Sequence, residues 1–235
     1  MRLLAGTSGF AYKPWKGSFY PAKLKDAEML RYYAQQFPAV EINNTFYRMP
    51  SRELLERWAE QAGEAFTFVL KAPQRITHQG RLQNTGDPLG LFLETTSVLG
   101  ARRGPLLFQL PPFFQKDLDR LRAFLDLLPE GCRAAFEFRH PSWLDDAVYA
   151  ALRDKGAALC IADTDEEEGR TPFVATAGWG YLRLRRADYD DAALASWRAR
   201  IAGQGWDTAC VFFKHEDSGA GPELARRFLE APPTA

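Results

Sequence analysis

A (β/α)8 barrel, the TIM-barrel class of α/β fold, is what this sequence predicts, and three observations predict it. Eight short apolar runs recur along 235 residues. Most are continuously apolar rather than alternating, as parallel strands covered by helices on the outside must be. Segments of helical period fit between most of them, which is the βα alternation of a parallel sheet. A G-x-G-x-x-G or Walker A loop is absent from the sequence, which removes the simplest nucleotide-binding versions of the rival open, doubly wound sheet. The length suits one domain, expected to span residues 1–235.

The predicted strands are 3–7, 39–43, 66–71, 105–109, 133–138, 157–162, 180–184 and 208–214. The first predicted helix, 26–37, carries Leu30, Tyr33, Ala34 and Phe37 on one face. The second, 51–62, starts at Ser51 as N-cap, with Leu54, Leu55 and Trp58 as its apolar stripe. Further helices are predicted at 89–99, 117–128, 142–155, 190–202 and 221–229. Arg153 and Lys155 followed by Gly156 read as a helix end, with cations in the last turn and glycine beyond it. No helix is assigned to the 163–178 connection, where the acidic run Asp165-Glu166-Glu167-Glu168 reads as a solvated loop.

Lysine plus arginine and aspartate plus glutamate both count 30, so the formal net charge is zero. A molecule-wide field for nucleic acid or membrane is therefore excluded, and any basic patch must be local. The N-terminal apolar stretch is too short for a signal-peptide core, and no run approaches the ~18 residues of a membrane span, so a cytoplasmic protein is expected. Cys132, Cys160 and Cys210 are odd in number and never spaced C-x-x-C, which signals neither a disulfide framework nor a thiolate zinc site. Two of them, Cys160 and Cys210, sit in apolar runs and read as small buried hydrophobes.

In such a barrel the working groups lie at the C-terminal strand ends. Polar residues fall there: Glu41, Asn43 and Tyr47 after strand two, Lys71 and then His78 after strand three, and Gln109 at the end of strand four. Glu137, Arg139, His140 and Trp143 follow strand five, and Asp163 ends strand six. Strand seven holds Tyr181, Arg183 and Arg185, and strand eight ends Lys214-His215-Glu216. Side chains alternate along a strand, so Glu41 shares a face with Asn43, Glu137 with Arg139, and Arg183 with Arg185. Charges within apolar strands are costly unless paired. Either they neutralise one another as a structural network, or they leave a positive pocket for an anion. No matching polar set is read at the opposite strand ends.

Under the functional reading Glu41, Glu137 and Asp163 are the candidate acid/base carboxylates and Lys71 a base or Schiff-base amine. Tyr12, Asn43, Tyr47, His78, Gln109, Arg139, His140, Trp143, Arg183 and Lys214 are the candidate substrate contacts. Neither H-x-x-x-H nor H-E-x-x-H spacing occurs in the sequence, so no metal ligands are assigned and no cofactor is specified. The first strand-to-helix loop is rich in aromatics. Phe19 and Tyr20 read as packing residues, whereas Tyr12 and Trp15 could also stack a ligand.

These segments jointly resemble the DUF72 (YecE-like) family over nearly the whole chain. The resemblance rests on Gly6-Thr7-Ser8-Gly9-Phe10-Ala11-Tyr12, Phe19-Tyr20-Pro21, Val40-Glu41-Ile42-Asn43-Asn44-Thr45-Phe46-Tyr47, Lys71-Ala72-Pro73, Ile76-Thr77-His78, Phe108-Gln109-Leu110-Pro111-Pro112 and Glu137-Phe138-Arg139-His140-Pro141-Ser142-Trp143. It implies a TIM barrel and no established activity. The chain departs from the usual pattern where many members resemble Tyr-x-Arg-x-His-Gly: here Tyr181-Leu182-Arg183-Leu184-Arg185-Arg186 stands. It also has Phe212-Phe213-Lys214-His215-Glu216 where many members have Phe-x-Asn. Both departures add local positive potential and favour an anionic ligand.

Three functions are weighed, in this order. The first is an enzyme acting on a small phosphorylated or carboxylated, sugar-like compound by acid/base chemistry. The second is a metal-dependent nucleic-acid phosphodiester hydrolase, which net neutrality disfavours. The third is a non-catalytic ligand-binding or regulatory barrel. Oligomeric state is left open.

Overall fold

A computed structural model describes residues 1–166, 170–215 and 219–232 of the chain. Its eight strands are β1 (Arg2–Thr7), β2 (Ala39–Ile42), β3 (Thr67–Lys71), β4 (Arg103–Gln109), β5 (Ala134–Glu137), β6 (Ala158–Asp163), β7 (Gly180–Leu184) and β8 (Thr208–Phe213). The sheet order is β1-β8-β7-β6-β5-β4-β3-β2. Every ladder in it is parallel. The seam between β1 and β2 is drawn together by a bridge between Ser8 and Glu41 and by Gly9 N–H donating to the Glu41 carbonyl at 2.7 Å. The result is a nearly closed (β/α)8 barrel. Gly6 is what lets the seam close, since a Cβ there would stand 2.1 Å from the Ala39 carbonyl oxygen and 2.7 Å from the Tyr33 hydroxyl.

Helices α1 (Met29–Gln36), α2 (Arg52–Ala62), α3 (Gly86–Thr96), α4 (Leu118–Asp126), α5 (Asp146–Asp154), α6 (Asp191–Ala202) and α7 (Ala220–Glu230) surround the sheet. Several begin where a side chain satisfies orphan amides. Ser51 accepts from Leu54 N–H, Asp117 from Arg120 N–H and Asp190 from Ala193 N–H. Among the described residues no helix lies between β6 and β7, and none is long and apolar enough to cross a membrane.

Three predicted helices differ in detail. The 26–37 segment opens as a 3₁₀ turn, Asp26–Glu28, before α1. The 142–155 segment splits. Pro141–Trp143 forms a 3₁₀ turn because His140 Nδ1 accepts from Ser142 N–H, and Asp145 then caps α5 separately. The 89–99 segment begins earlier, at Gly86, because Pro88 sits in the first turn, where no N–H is needed. It ends in a 3₁₀ stretch broken at Gly100, whose φ is 54°.

Strand parity positions the site. Leu4, Ala39, Val69, Leu107, Ala135, Cys160, Tyr181 and Cys210 belong to one compact apolar cluster, distinct from the larger one between sheet and helices. One residue pair further toward the C-terminal rim, on the same face of each strand, stand Gly6, Glu41, Lys71, Gln109, Glu137, Ala162, Arg183 and Phe212. The barrel interior thus changes from hydrocarbon to ions within one side-chain layer.

Parity also sets one candidate apart from the other carboxylates. Cys160 and Ala162 face inward, so Asp163 faces out, toward the helices. There it accepts the Tyr189 hydroxyl at 2.9 Å. The opposite end of the barrel is not empty of charge either: Arg2, Arg103 and Arg133 surround a cavity of about 260 Å³. They are at least partly exposed and donate to Ala65 O, Leu93 O and Asp207, respectively.

Candidate functional site

At the centre of the rim one guanidinium joins two strands that are far apart in sequence. Arg183, on β7, donates through Nη2 to Glu41 Oε1 at 2.9 Å and through Nη1 to Glu137 Oε2 at 2.5 Å. All three side chains are at most 2% exposed. A desolvated ion triad of this kind persists only if the remaining lone pairs are also occupied. Ser8 Oγ, Asn43 Nδ2 and Tyr181 Oη donate to Glu41 at 2.7, 3.1 and 2.6 Å. Gln109 Nε2, Arg139 Nε and Arg185 Nη1 donate to Glu137 at 2.8, 3.3 and 3.1 Å.

Burial alone would raise both carboxyls. For Glu41 the Arg183 charge and the hydrogen bonds from Ser8 and Tyr181 override it, and its pKa is held below the ordinary value. For Glu137 the charges of Arg183, Arg139 and Arg185, with the Gln109 hydrogen bond, hold it far below. Both carboxylates therefore stay ionised near neutral pH with their oxygens committed to protein donors. Neither is placed to donate a proton.

Lys71 is the contrasting group. Its Nζ donates to Gln109 Oε1 at 2.8 Å and stands 3.9 Å above the Phe46 ring. Among the described residues it forms no salt bridge. Burial, reinforced by the Arg183 charge, lowers its pKa to about 8 against the partial opposition of Glu137 and Glu41. His78 packs edge-on against the same Phe46, with ring centroids 4.7 Å apart. Burial and then the charges of Lys71 and Arg139 lower His78 to about 4, so its imidazole is neutral at pH 7.

Beside Glu137 opens a cavity of about 240 Å³ whose charged lining is Arg139, Arg170 and Arg185 with the carboxylates of Glu137 and Glu166, and His140 also lines it. Arg139 is 37% exposed and Arg185 22%, so both reach the cavity while resting on Glu137. A larger cavity of about 350 Å³ lies between the first loop, α1 and α2, and Tyr12 and Asn43 belong to its lining. It is mostly apolar and has no comparable convergence of cations.

The remaining candidates are dispersed. Tyr47 is 74% exposed beyond the rim. Tyr12 donates to Ser8 O and leans on Trp15. Lys214 follows the end of β8 and is exposed. Trp143 lies in the core: it is fully buried, stacks on Phe138 at 4.9 Å and donates to Phe114 O. Phe19 and Tyr20 pack in the aromatic plug as read from sequence, and Trp15, 1% exposed, joins them. Glu167, Glu168 and Glu216 lie outside the described residues.

Four contributors were not among the candidates. Tyr181 and Arg185 are read on strand seven from the sequence but given no role there, and Ser8 continues the inward register of Leu4 and Gly6, which alternation could have found. Arg170 arrives from an irregular connection and has no sequence signal. Among the described residues no group of three or more His, Cys, Asp or Glu is placed to hold a metal ion.

Fold and site together define a parallel (β/α)8 barrel whose C-terminal mouth is closed by a buried Glu-Arg-Glu network under a partly exposed cationic rim. Residues 4–233 match the model of the family described as "Protein of unknown function DUF72", and the chain belongs to that family. It is 35% identical over 141 residues to the UPF0759 protein YecE of Escherichia coli K12, covering 57% of this chain and 52% of that protein. It is 26% identical over 178 residues to the UPF0759 protein YunF of Bacillus subtilis 168, covering 68% and 61%. The chain thus spans only about half to three fifths of the length of these relatives. A DUF72 family protein from Thermotoga maritima superposes with a TM-score of 0.86 at 24% identity, covering 98% of both chains. One from Enterococcus faecalis V583 superposes at 0.80 with 18% identity, covering 99% and 96%. These structural likenesses speak for the fold.

Proposed function

We propose that this chain is an enzyme acting on a small anionic molecule, phosphorylated or carboxylated, at the C-terminal mouth of the barrel. Lys71 is the group that transfers the proton. One observation carries the reading: the carboxylates of the mouth are buried and fully satisfied, while the cations around them outnumber them and partly face the cavity beside Glu137. A site with satisfied anions and surplus guanidinium donors offers fork-shaped hydrogen bonding to an incoming oxyanion.

The chemistry follows from the contrast between the groups. Glu41 and Glu137 hold the geometry and stay ionised. Lys71, with a pKa near 8, exists in both charge states near neutrality and can both take and return a proton. The charges of Arg139 and Arg185 stabilise negative charge as it develops on the substrate.

The test is thermal unfolding with inorganic phosphate and small carboxylates, in the wild type and in Arg139→Ala/Arg185→Ala. A ligand at ~100 times its Kd adds about 2.7 kcal/mol. At 2–4 °C per kcal/mol that is roughly 5–10 °C for a chain of this size. Excluded anions stabilise many proteins generally, so the readout is the saturable part that disappears in the double variant. Equal shifts in both proteins, or none in either, would refute the reading.

A further inference from the structure

We propose that Lys71 is a covalent catalytic residue: its Nζ attacks the carbonyl group of a substrate whose anionic end is held by Arg139 and Arg185, forming an imine. The proposal rests on the anion site described above and narrows its substrate class to carbonyl compounds bearing a carboxylate or phosphate.

Among the described residues the amine is held by a neutral amide and an aromatic face rather than by a carboxylate. Most buried lysines are spoken for by a carboxylate, and two carboxylates are near at hand in Glu41 and Glu137. Yet both are occupied by guanidiniums and neutral donors, and a neutral amide stands between Lys71 and the nearer network. Gln109 Oε1 takes one N–H of Lys71 while Gln109 Nε2 donates to Glu137 Oε2 at 2.8 Å. That relay orients the amine without providing a counter-charge. The Phe46 face below it excludes water from one side. Desolvation beside other cations is how a lysine amine becomes a nucleophile near neutral pH. The same Glu137 that Gln109 touches also carries Arg139 and Arg185, so the amine and the anion-binding forks are arranged around one carboxylate.

The step balances as follows. The unprotonated Nζ forms a C–N bond to the carbonyl carbon, and the carbonyl π pair moves to oxygen, which takes a proton. Nitrogen loses a proton to give the carbinolamine. Protonation of the hydroxyl and departure of water leave a protonated imine. One proton is consumed and one water is released, with no oxidant or reductant.

The test is reductive trapping of the full chain at pH 7.5. Glyoxylate, pyruvate and glyceraldehyde 3-phosphate are the probes, propanal is the uncharged control, and cyanoborohydride delivers hydride to any imine formed. Peptide mass spectrometry then locates the secondary amine. With a pKa near 8, Lys71 has roughly two hundredfold more free amine at this pH than an ordinary lysine. The expected result is labelling of Lys71 at least about tenfold above any other lysine by one or more anionic probes. Propanal should label it less, excess inorganic phosphate should suppress the labelling, and Lys71→Arg should abolish it while melting cooperatively.

Labelling spread over exposed lysines without preference for Lys71, or no adduct with any probe, overturns the covalent role. If phosphate still shifts the wild-type melting temperature through Arg139 and Arg185, the anion-site reading survives that failure. If it does not, both fall.

Discussion

Replacing Arg183 by methionine removes the single cation shared by two buried carboxylates while keeping an unbranched side chain in its place. Glu137 retains Arg139 and Arg185, but Glu41 is left with Ser8, Asn43 and Tyr181, none of which carries charge. Removing one partner of a buried ion pair costs about 3–5 kcal/mol, because the other charge is left desolvated. Arg183 and Glu41 are both at most 2% exposed, so little solvent screening reduces that figure. At 2–4 °C per kcal/mol the melting temperature should fall by roughly 6–20 °C at pH 7.

The pH dependence sharpens the test. In the wild type both carboxyls are held below their unfolded values. The stability they contribute is therefore present above about pH 4.3 and is lost as pH falls further. In R183M burial dominates at Glu41 and its folded pKa rises above the unfolded one. That variant should then gain relative stability as pH falls toward 5, because Glu41 can protonate. Urea unfolding of both proteins at pH 7 and pH 5 measures the gap. A gap under about 1 kcal/mol at pH 7, or one that widens on acidification, would show that Arg183 is not what keeps Glu41 ionised.

Two further predictions concern Lys71 and Asp163. The folded pKa of Lys71, about 8, lies below its unfolded value. Between roughly pH 8 and 10.4 the unfolded chain thus binds more protons, and wild-type stability should rise through that window relative to Lys71→Met by about 2–3 kcal/mol. Parallel pH–stability curves would contradict it. Asp163→Ala should cost about 1–3 kcal/mol, since it strips a partner from the buried Tyr189 hydroxyl. Phosphate-induced stabilisation and labelling of Lys71 should survive the substitution; their loss would return Asp163 to the working site.

The eight strands and most helices were legible because their cause is local. A strand covered on both faces must be apolar along its length, and a helix facing a sheet must repeat with its own period. Ser51 announced a helix start for the same reason: its hydroxyl meets an amide three residues away. Alternation put Glu41 with Asn43, and Glu137 with Arg139, on one face, and the structure adds a hydrogen bond within each pair.

Partnership across the barrel is a different matter. Glu41 and Arg183 are separated by 142 positions, and only the closing of the sheet makes them neighbours. Asp163 and Glu137 look alike as carboxylates at strand ends. One residue of register turns the first toward Tyr189 and the second into the mouth. Trp143, next to functional-looking neighbours in the chain, is drawn into the core by Phe138 and Phe114. The electrostatic character of each group followed the same rule. Charge state depends on desolvation and on every ion within a few ångströms, which are properties of three-dimensional surroundings. Linear order could place Glu41, Glu137 and Lys71 at one rim; folding made the first two committed counter-ions and left the third an amine near its titration point.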